Sequence, residues 1–286
     1  MLRALTLLLL LVACTPDFAS VSQVTDLRVL AVQAEPPDAL FDANHVDDVT
    51  VRVLAVDPFA RADVRVNARI CAPTTNLLCQ DGPQLPLDTL DRPAGSSISW
   101  LLQVPPAVIA YAQQSDDLKG LGGIRVMLSM DLDDLDPAGK VYASKLLLYS
   151  PAAGHVPNHN PVIASLQLTD DTQPAGTLQP GETLQLKTGV PKGLRPVLAD
   201  GSIEEYDTVD LTGKTVHLRE QPAWKFFTTS KGDLDRDSAD EPLDGVAPPE
   251  GMTRLTALRA GAGTLWIVVR DGRGGESWLE VPWTTF

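Results

Sequence analysis

Val64, Val66, Ala68 and Ile70 alternate with Arg65, Asn67 and Arg69, which puts the apolar side chains of one run on one side. Only a strand, with its period of two, turns that pattern into one buried and one solvated face. The alternation returns at Ile124, Val126, Leu128 and Met130, and again at Val162, Ala164, Leu166 and Leu168. A chain written this way folds as half-buried antiparallel sheet.

Further runs fit the same plan. Gln23 to Gln33 reads as a first strand that stops before Pro36-Pro37, because proline cannot donate to a ladder. Thr50 to Val56, Ser97 to Val104 and Val141 to Tyr149 follow as strands. Pro105 and Pro106 open the one helical stretch, Ala107 to Gln114, since proline is tolerated in a first turn. The 23 prolines and 21 glycines are spread along the chain, as many short strands separated by turns require.

Residues 151–157 carry no periodicity and two of three closely spaced prolines, and are expected to be a linker. Beyond it the strand, loop, strand opening repeats. Glu182 to Lys187, Glu205 to Val209, Thr215 to Arg219 and Ala223 to Thr229 are strand candidates. Leu265 to Arg270 runs through Asp271-Gly272-Arg273-Gly274-Gly275 into Ser277 to Trp283 as a hairpin. The expected fold is all-β: two immunoglobulin-like antiparallel β-sandwich domains in tandem, at 22–150 and 158–286, with one short helix in the first. Asn160-Pro161 and Val268 to Gly275 resemble the linker and late hairpin of bacterial surface lipoproteins with tandem immunoglobulin-like domains. That resemblance implies no defined activity.

The N-terminus says where such a protein would work. Met1-Leu2-Arg3 gives a short positive region, and Ala4 to Val12 is an uncharged apolar run too short to span a bilayer, which takes about 20 residues. Residues 1–13 are expected to be a signal peptide. Leu11-Val12-Ala13-Cys14 then resembles the lipobox of bacterial lipoproteins at all four positions. The resemblance implies that Cys14 carries a diacylglycerol and an amide-linked acyl chain such as palmitate, that 14–21 is a lipidated tether, and that Thr15 favours the outer membrane. Two or more chains make anchoring stable, whereas one holds reversibly.

Two other cysteines, Cys71 and Cys79, close a short loop and in an oxidising envelope are expected to form a disulfide. A net charge of −14 repels nucleic acid and favours solubility, basic partners or divalent cations. Asp233, Asp235 and Asp237 fall at positions 1, 3 and 5 of a calcium loop, with Glu241 at 9 and Asp244 at 12. Ser238 replaces the glycine at position 6 and neither flank reads as helix, so a solvated acidic turn competes with a calcium site. His155 and His159 have zinc-like spacing, but Pro157 forbids the helix that would align them. No nucleophile motif occurs, and no catalytic residue is assigned. Trp224, Trp266, Trp278 and Trp283 are expected to fill a core rather than form a glycan platform. The expected role is a non-catalytic binding or structural module of the envelope whose partner is a protein or glycan. An envelope hydrolase using acidic residues and a calcium-dependent adhesion module are the alternatives.

Overall fold

The computed structural model describes residues 20–42, 45–58, 63–73, 79, 83–93, 98–115, 122–134, 140–153, 155–171, 173–241 and 252–286. The signal peptide, Cys14 and most of the tether lie outside these residues. In the first half the strands are β1 (Gln23–Val24), β2 (Arg28–Glu35), β3 (Asp38–Phe41), β4 (Val49–Val56) and β5 (Asp63–Cys71). They continue as β6 (Gln84–Pro86), β7 (Leu90–Pro93), β8 (Ile98–Leu102), β9 (Ile124–Asp134) and β10 (Lys140–Pro151), with the helix α1 (Pro106–Ser115) between β8 and β9. The architecture is mainly strand, as the alternation requires. Among the described residues no helix is long and apolar enough to cross a membrane.

Two sheets face each other in this half, β2-β4-β8 and β3-β10-β9-β5-β6, with β7 also on β5. The alternating residues Val64, Val66, Ala68 and Ile70 point into one core with Val51, Val53, Leu128, Leu132 and Tyr149. Val108, Ile109 and Ala112 of α1 reach the same core, so the helix closes it rather than forming a layer of its own.

The second half contains β11 (Ile163–Asp170), β12 (Gln173–Leu178), β13 (Leu184–Leu186), β14 (Lys192–Leu198), β15 (Glu205–Val209) and β16 (Thr215–Arg219). It continues with β17 (Ala223–Thr229), β18 (Gly232–Leu234), β19 (Ser238–Asp240), β20 (Thr253–Ala257), β21 (Ala262–Arg270) and β22 (Glu276–Thr285). One sheet runs β12-β11-β14-β20-β18 and the other β1-β17-β21-β22-β13, with β19 on β17. Trp224, Phe226, Ile267 and Trp283 fill a second core with Leu194 and Leu255. β15 and β16 form a separate hairpin.

The halves repeat one pairing scheme. In the first, β2 pairs antiparallel with β4 and β4 with β8, while β3 runs parallel to the last strand, β10. In the second, β11 pairs antiparallel with β14 and β14 with β20, while β13 runs parallel to the last strand, β22. The expectation of purely antiparallel sheets is therefore modified by these two parallel pairs and by a third. The third is β1, which leaves its own half and runs parallel to β17, with Gln23 opposite Thr228 and Val24 opposite Thr229. The single first strand expected over Gln23 to Gln33 is split, because its opening residues belong to the other half's sheet.

That exchange accompanies a third apolar cluster. Val24, Leu30, Ala31, Leu54 and Val56 from the first half pack on Trp266 and Val268, with Phe227 and Trp278 partly buried beside them. Leu265-Trp266-Ile267-Val268-Val269 is apolar throughout because both of its faces are covered: Leu265, Ile267 and Val269 by their own core, Trp266 and Val268 by the other half.

Candidate functional site

The residues that carried the resemblance in sequence, Asn160-Pro161 and the Asp271-Gly-Arg-Gly-Gly hairpin, meet where the two halves join. Asp271 starts the turn between β21 and β22 and is almost fully buried. Its Oδ1 accepts from the backbone N–H of Arg273 at 2.7 Å and of Gly275 at 2.9 Å. Its Oδ2 accepts from Nδ2 of buried Asn158 at 2.8 Å. Burial pushes the Asp271 carboxyl above its ordinary range, and these hydrogen bonds oppose the rise. Glycine at 275 is a steric requirement, because a Cβ there would collide with the Asp271 carboxylate and approach the His159 carbonyl to 3.0 Å.

Arg273, reaching out of the same turn, stacks on the Tyr206 ring at 4.0 Å from its centroid. Its guanidinium also contacts Glu204 at 3.2 Å and Glu220 at 3.1 Å, which ties the β15–β16 hairpin to the turn. Burial raises the Glu220 carboxyl, whose Oε2 accepts from the Glu204 N–H at 2.9 Å.

The next residues cross to the first half. Glu276 is buried, and its carboxylate pairs with Lys145 of β10 at 3.1 Å and with Arg270 at 2.6 Å. Lys145 Nζ also donates to the Gly274 carbonyl at 3.0 Å. Asn160 bridges the halves with one amide: Nδ2 donates to the Ala34 carbonyl at 2.6 Å, and Oδ1 accepts from the Glu276 N–H at 2.9 Å. Gly274, at φ +110°, brings the turn close to Leu148 and the Pro37 carbonyl, a conformation that L side chains rarely adopt. The arrangement is a polar clamp whose carboxylates are already engaged by the chain itself.

His155 and His159 diverge. His155 Nε2 meets Asp38 of the first half, and His159 Nδ1 meets Glu204 of the second at 2.6 Å. The pair pins each end of the connecting segment. Ser150 Oγ donates to Asp38 Oδ1 at 2.7 Å, so this serine faces a carboxylate rather than an imidazole base.

Asp233, Asp235 and Asp237 are not gathered into one ligand set. Asp233 stands in β18 opposite Thr256. Asp235 Oδ1 is occupied by the Arg254 N–H at 2.6 Å and by Thr253 Oγ1 at 3.2 Å, while Asp237 Oδ1 accepts from Ser238 Oγ at 3.0 Å. Among the described residues no group of three histidine, cysteine or acidic side chains is placed to hold a metal ion. Asp244, the twelfth position of the loop, lies outside the described residues.

Cys71 and Cys79 are joined as a disulfide with their Cα atoms 5.5 Å apart. Removing it by Cys71→Ala with Cys79→Ala is expected to lower stability by about 2–3 kcal/mol, the chain-entropy value for a short loop. Denaturant unfolding of the variant against the oxidised protein measures this, and equal midpoints would contradict it.

The aromatic residues behave as core. Trp224 and Trp283 are fully buried, and Trp266, on the outward side of its sheet, is covered by the first half. Depressions occur on the surface of the described residues. One of about 330 Å³ is lined by Arg195, Arg219 and Glu241, and another of about 340 Å³ by His45, Asp48 and Gln103. The clamp itself was only partly visible in sequence, since Lys145, Glu204 and Glu220 have no local signal linking them to residue 271.

No family model matches the chain, and no curated protein matches it. Among solved structures it is similar to red sea bream transglutaminase at 12% identity, covering 92% of this chain and 32% of that one, with a TM-score of 0.30. It is also similar to dimeric latent PorU from Porphyromonas gingivalis at 10% identity, covering 92% of this chain and 24% of that one, with a TM-score of 0.27. The chain thus spans about a third or less of the length of these structures, and similarities this distant assign it no activity.

Proposed function

We propose that the protein is an exported lipoprotein, acylated at Cys14, in which two immunoglobulin-like domains, 22–150 and 158–286, joined by the linker 151–157, form a non-catalytic binding or structural module of the cell envelope. The observation that carries the anchor is Leu11-Val12-Ala13-Cys14 directly behind a charged residue and an apolar run. The repeated pairing scheme of the two halves supports the tandem arrangement, because in each a short early strand runs parallel to the last one. The Cys71–Cys79 disulfide suits an oxidising compartment. A binding or structural role is supported by the clamp, whose buried carboxylates serve the junction. The partner is an envelope protein or glycan, held near the membrane by the lipid.

Palmitate labelling followed by membrane fractionation tests the anchor. The wild type is expected to incorporate label and sediment with membranes, whereas Cys14→Ser is expected to lose the label and be released. Equal distribution of the two proteins would overturn the proposal.

A further inference from the structure

The fold decides which part of the protein faces the bilayer, an inference that rests on the acylation of Cys14. Cys14 precedes Ser20 by six residues. An extended chain covers at most about 3.5 Å per residue, so the acylated residue lies within about 20 Å of Ser20. Ser20 is itself fixed. Its carbonyl accepts from the Gln23 N–H at 2.9 Å, and the Ser22 carbonyl accepts from the Thr228 N–H at 2.8 Å. The tether therefore leaves from the edge of the second half's sheet, although the sequence between Thr25 and Pro151 builds the first half.

The place where it leaves is close to one end of that half. Val24 pairs with Thr229, the last residue of β17, and Gln23 Nε2 donates to the Gly232 carbonyl at 3.1 Å just past the following turn. Three loops are stitched together there. Leu258 N–H donates to the Lys231 carbonyl at 2.9 Å, Gly189 N–H to the Ala257 carbonyl at 2.9 Å, and Thr285 N–H to the Gly261 carbonyl at 2.9 Å. The clamp lies at the opposite end, where β22 begins.

This end exposes apolar and cationic side chains together. Val190 is 44%, Leu258 55% and Phe286 81% exposed. Lys187 and Arg259 are exposed beside them, and Lys231 is partly exposed with its Nζ over Gly261. Among the described residues, Asp26, exposed two positions past Val24, and Asp170, Asp171 and Asp233, on the side of the other sheet, are acidic neighbours of this end, and Asp170 is paired with Lys192 at 2.5 Å. In a chain of net charge −14, most of the surface is repelled by anionic headgroups. Cations flanking apolar side chains suit the interface, where the charge meets phosphate and the apolar group enters the acyl boundary.

We infer that the end of the second half formed by Lys187–Val190, Ser230–Gly232 and Leu258–Gly261 rests on the lipid surface, with anionic phospholipid headgroups as its ligand. The first half and the clamp are then held away from the bilayer, free to meet a partner.

Amine-reactive footprinting tests the orientation, using the acylated protein in phosphatidylcholine vesicles containing phosphatidylglycerol and in detergent. Lys187 and Lys231 are expected to be modified about tenfold more slowly on vesicles than in detergent, while Lys140 and Lys214 react equally in both. Arg259→Gln should weaken the protection about fivefold, the value of one cation near an anionic surface. If the protein floats with vesicles through Cys14 but Lys187 and Lys231 react as fast as in detergent, the orientation is overturned and the anchor stands. If neither wild type nor Cys14→Ser differs in flotation, the anchor fails and the orientation falls with it.

Discussion

Trp283→Ala is expected to lower stability by about 3–5 kcal/mol, the cost of emptying a large aromatic site in a core that relaxes only in part. Trp283 is 1% exposed, and it stands in register with Gly263 of β21 on one side and Leu184 of β13 on the other. The glycine is part of the same site. A Cβ at residue 263 would fall inside contact distance of the Trp283 ring and of Thr229 Oγ1. Gly263→Val should therefore destabilise the same core by overpacking, by about 1–3 kcal/mol. Trp283→Phe separates ring volume from the indole N–H, which is buried without a hydrogen-bond partner. Losing that N–H removes an uncompensated polar group, so the phenylalanine variant should retain most of the stability. Urea unfolding of the three variants measures the series, and an alanine variant within 1 kcal/mol of wild type, a threshold of about one ordinary hydrogen bond, would refute it.

Asp271→Ala is the second large effect, expected at about 3–4 kcal/mol. It removes the acceptor for Asn158 and for the N–H groups of Arg273 and Gly275. Buried donors left unpaired cost about 1–3 kcal/mol each, and relief of the buried carboxylate offsets part of the sum. Asp271→Asn keeps one oxygen for the two backbone donors and turns an amide toward Asn158, so its loss should be smaller. The pH dependence has a definite sign. Because burial raises the folded Asp271 and Glu220 carboxyls above their unfolded values, their favourable contribution is full below the unfolded values and is lost as pH rises through the folded ones. Asp271→Asn, which does not titrate, should lose less stability relative to wild type at neutral pH than at acid pH. Denaturant midpoints across that range would show it, and parallel curves for the two proteins would exclude it.

Strands with a full alternating run were legible, since their signal is local. Val64 to Ile70 needs no knowledge of the partner strand to reveal its buried face. Strands of three or four residues, such as β3, β6 and β18, hold too few side chains to display a period, and only their partners in the sheet stabilise them. The parallel pairing of β3 and β13 with distant last strands was invisible because no local pattern records a partner that far along the chain. Asp233 to Asp237 left two readings open in sequence, a calcium loop and a solvated acidic turn, because spacing alone does not say where each carboxylate points. Between strands β18 and β19, Asp235 is engaged by Arg254 and Thr253. His155 and His159, four residues apart, end on different halves.

The sequence by itself determined the strand-rich architecture, the disulfide pair and the aromatic filling of the core, because each depends on side-chain period, proximity along the chain or transfer from water. Only the tertiary structure decided that Gln23–Val24 joins the second half's sheet, that Trp266 is covered by the first half, and that Asn158 and Asn160 close on Asp271 and Glu276. Those contacts join residues more than a hundred positions apart. No local pattern records them, because the surfaces that meet are assembled from residues far apart along the chain.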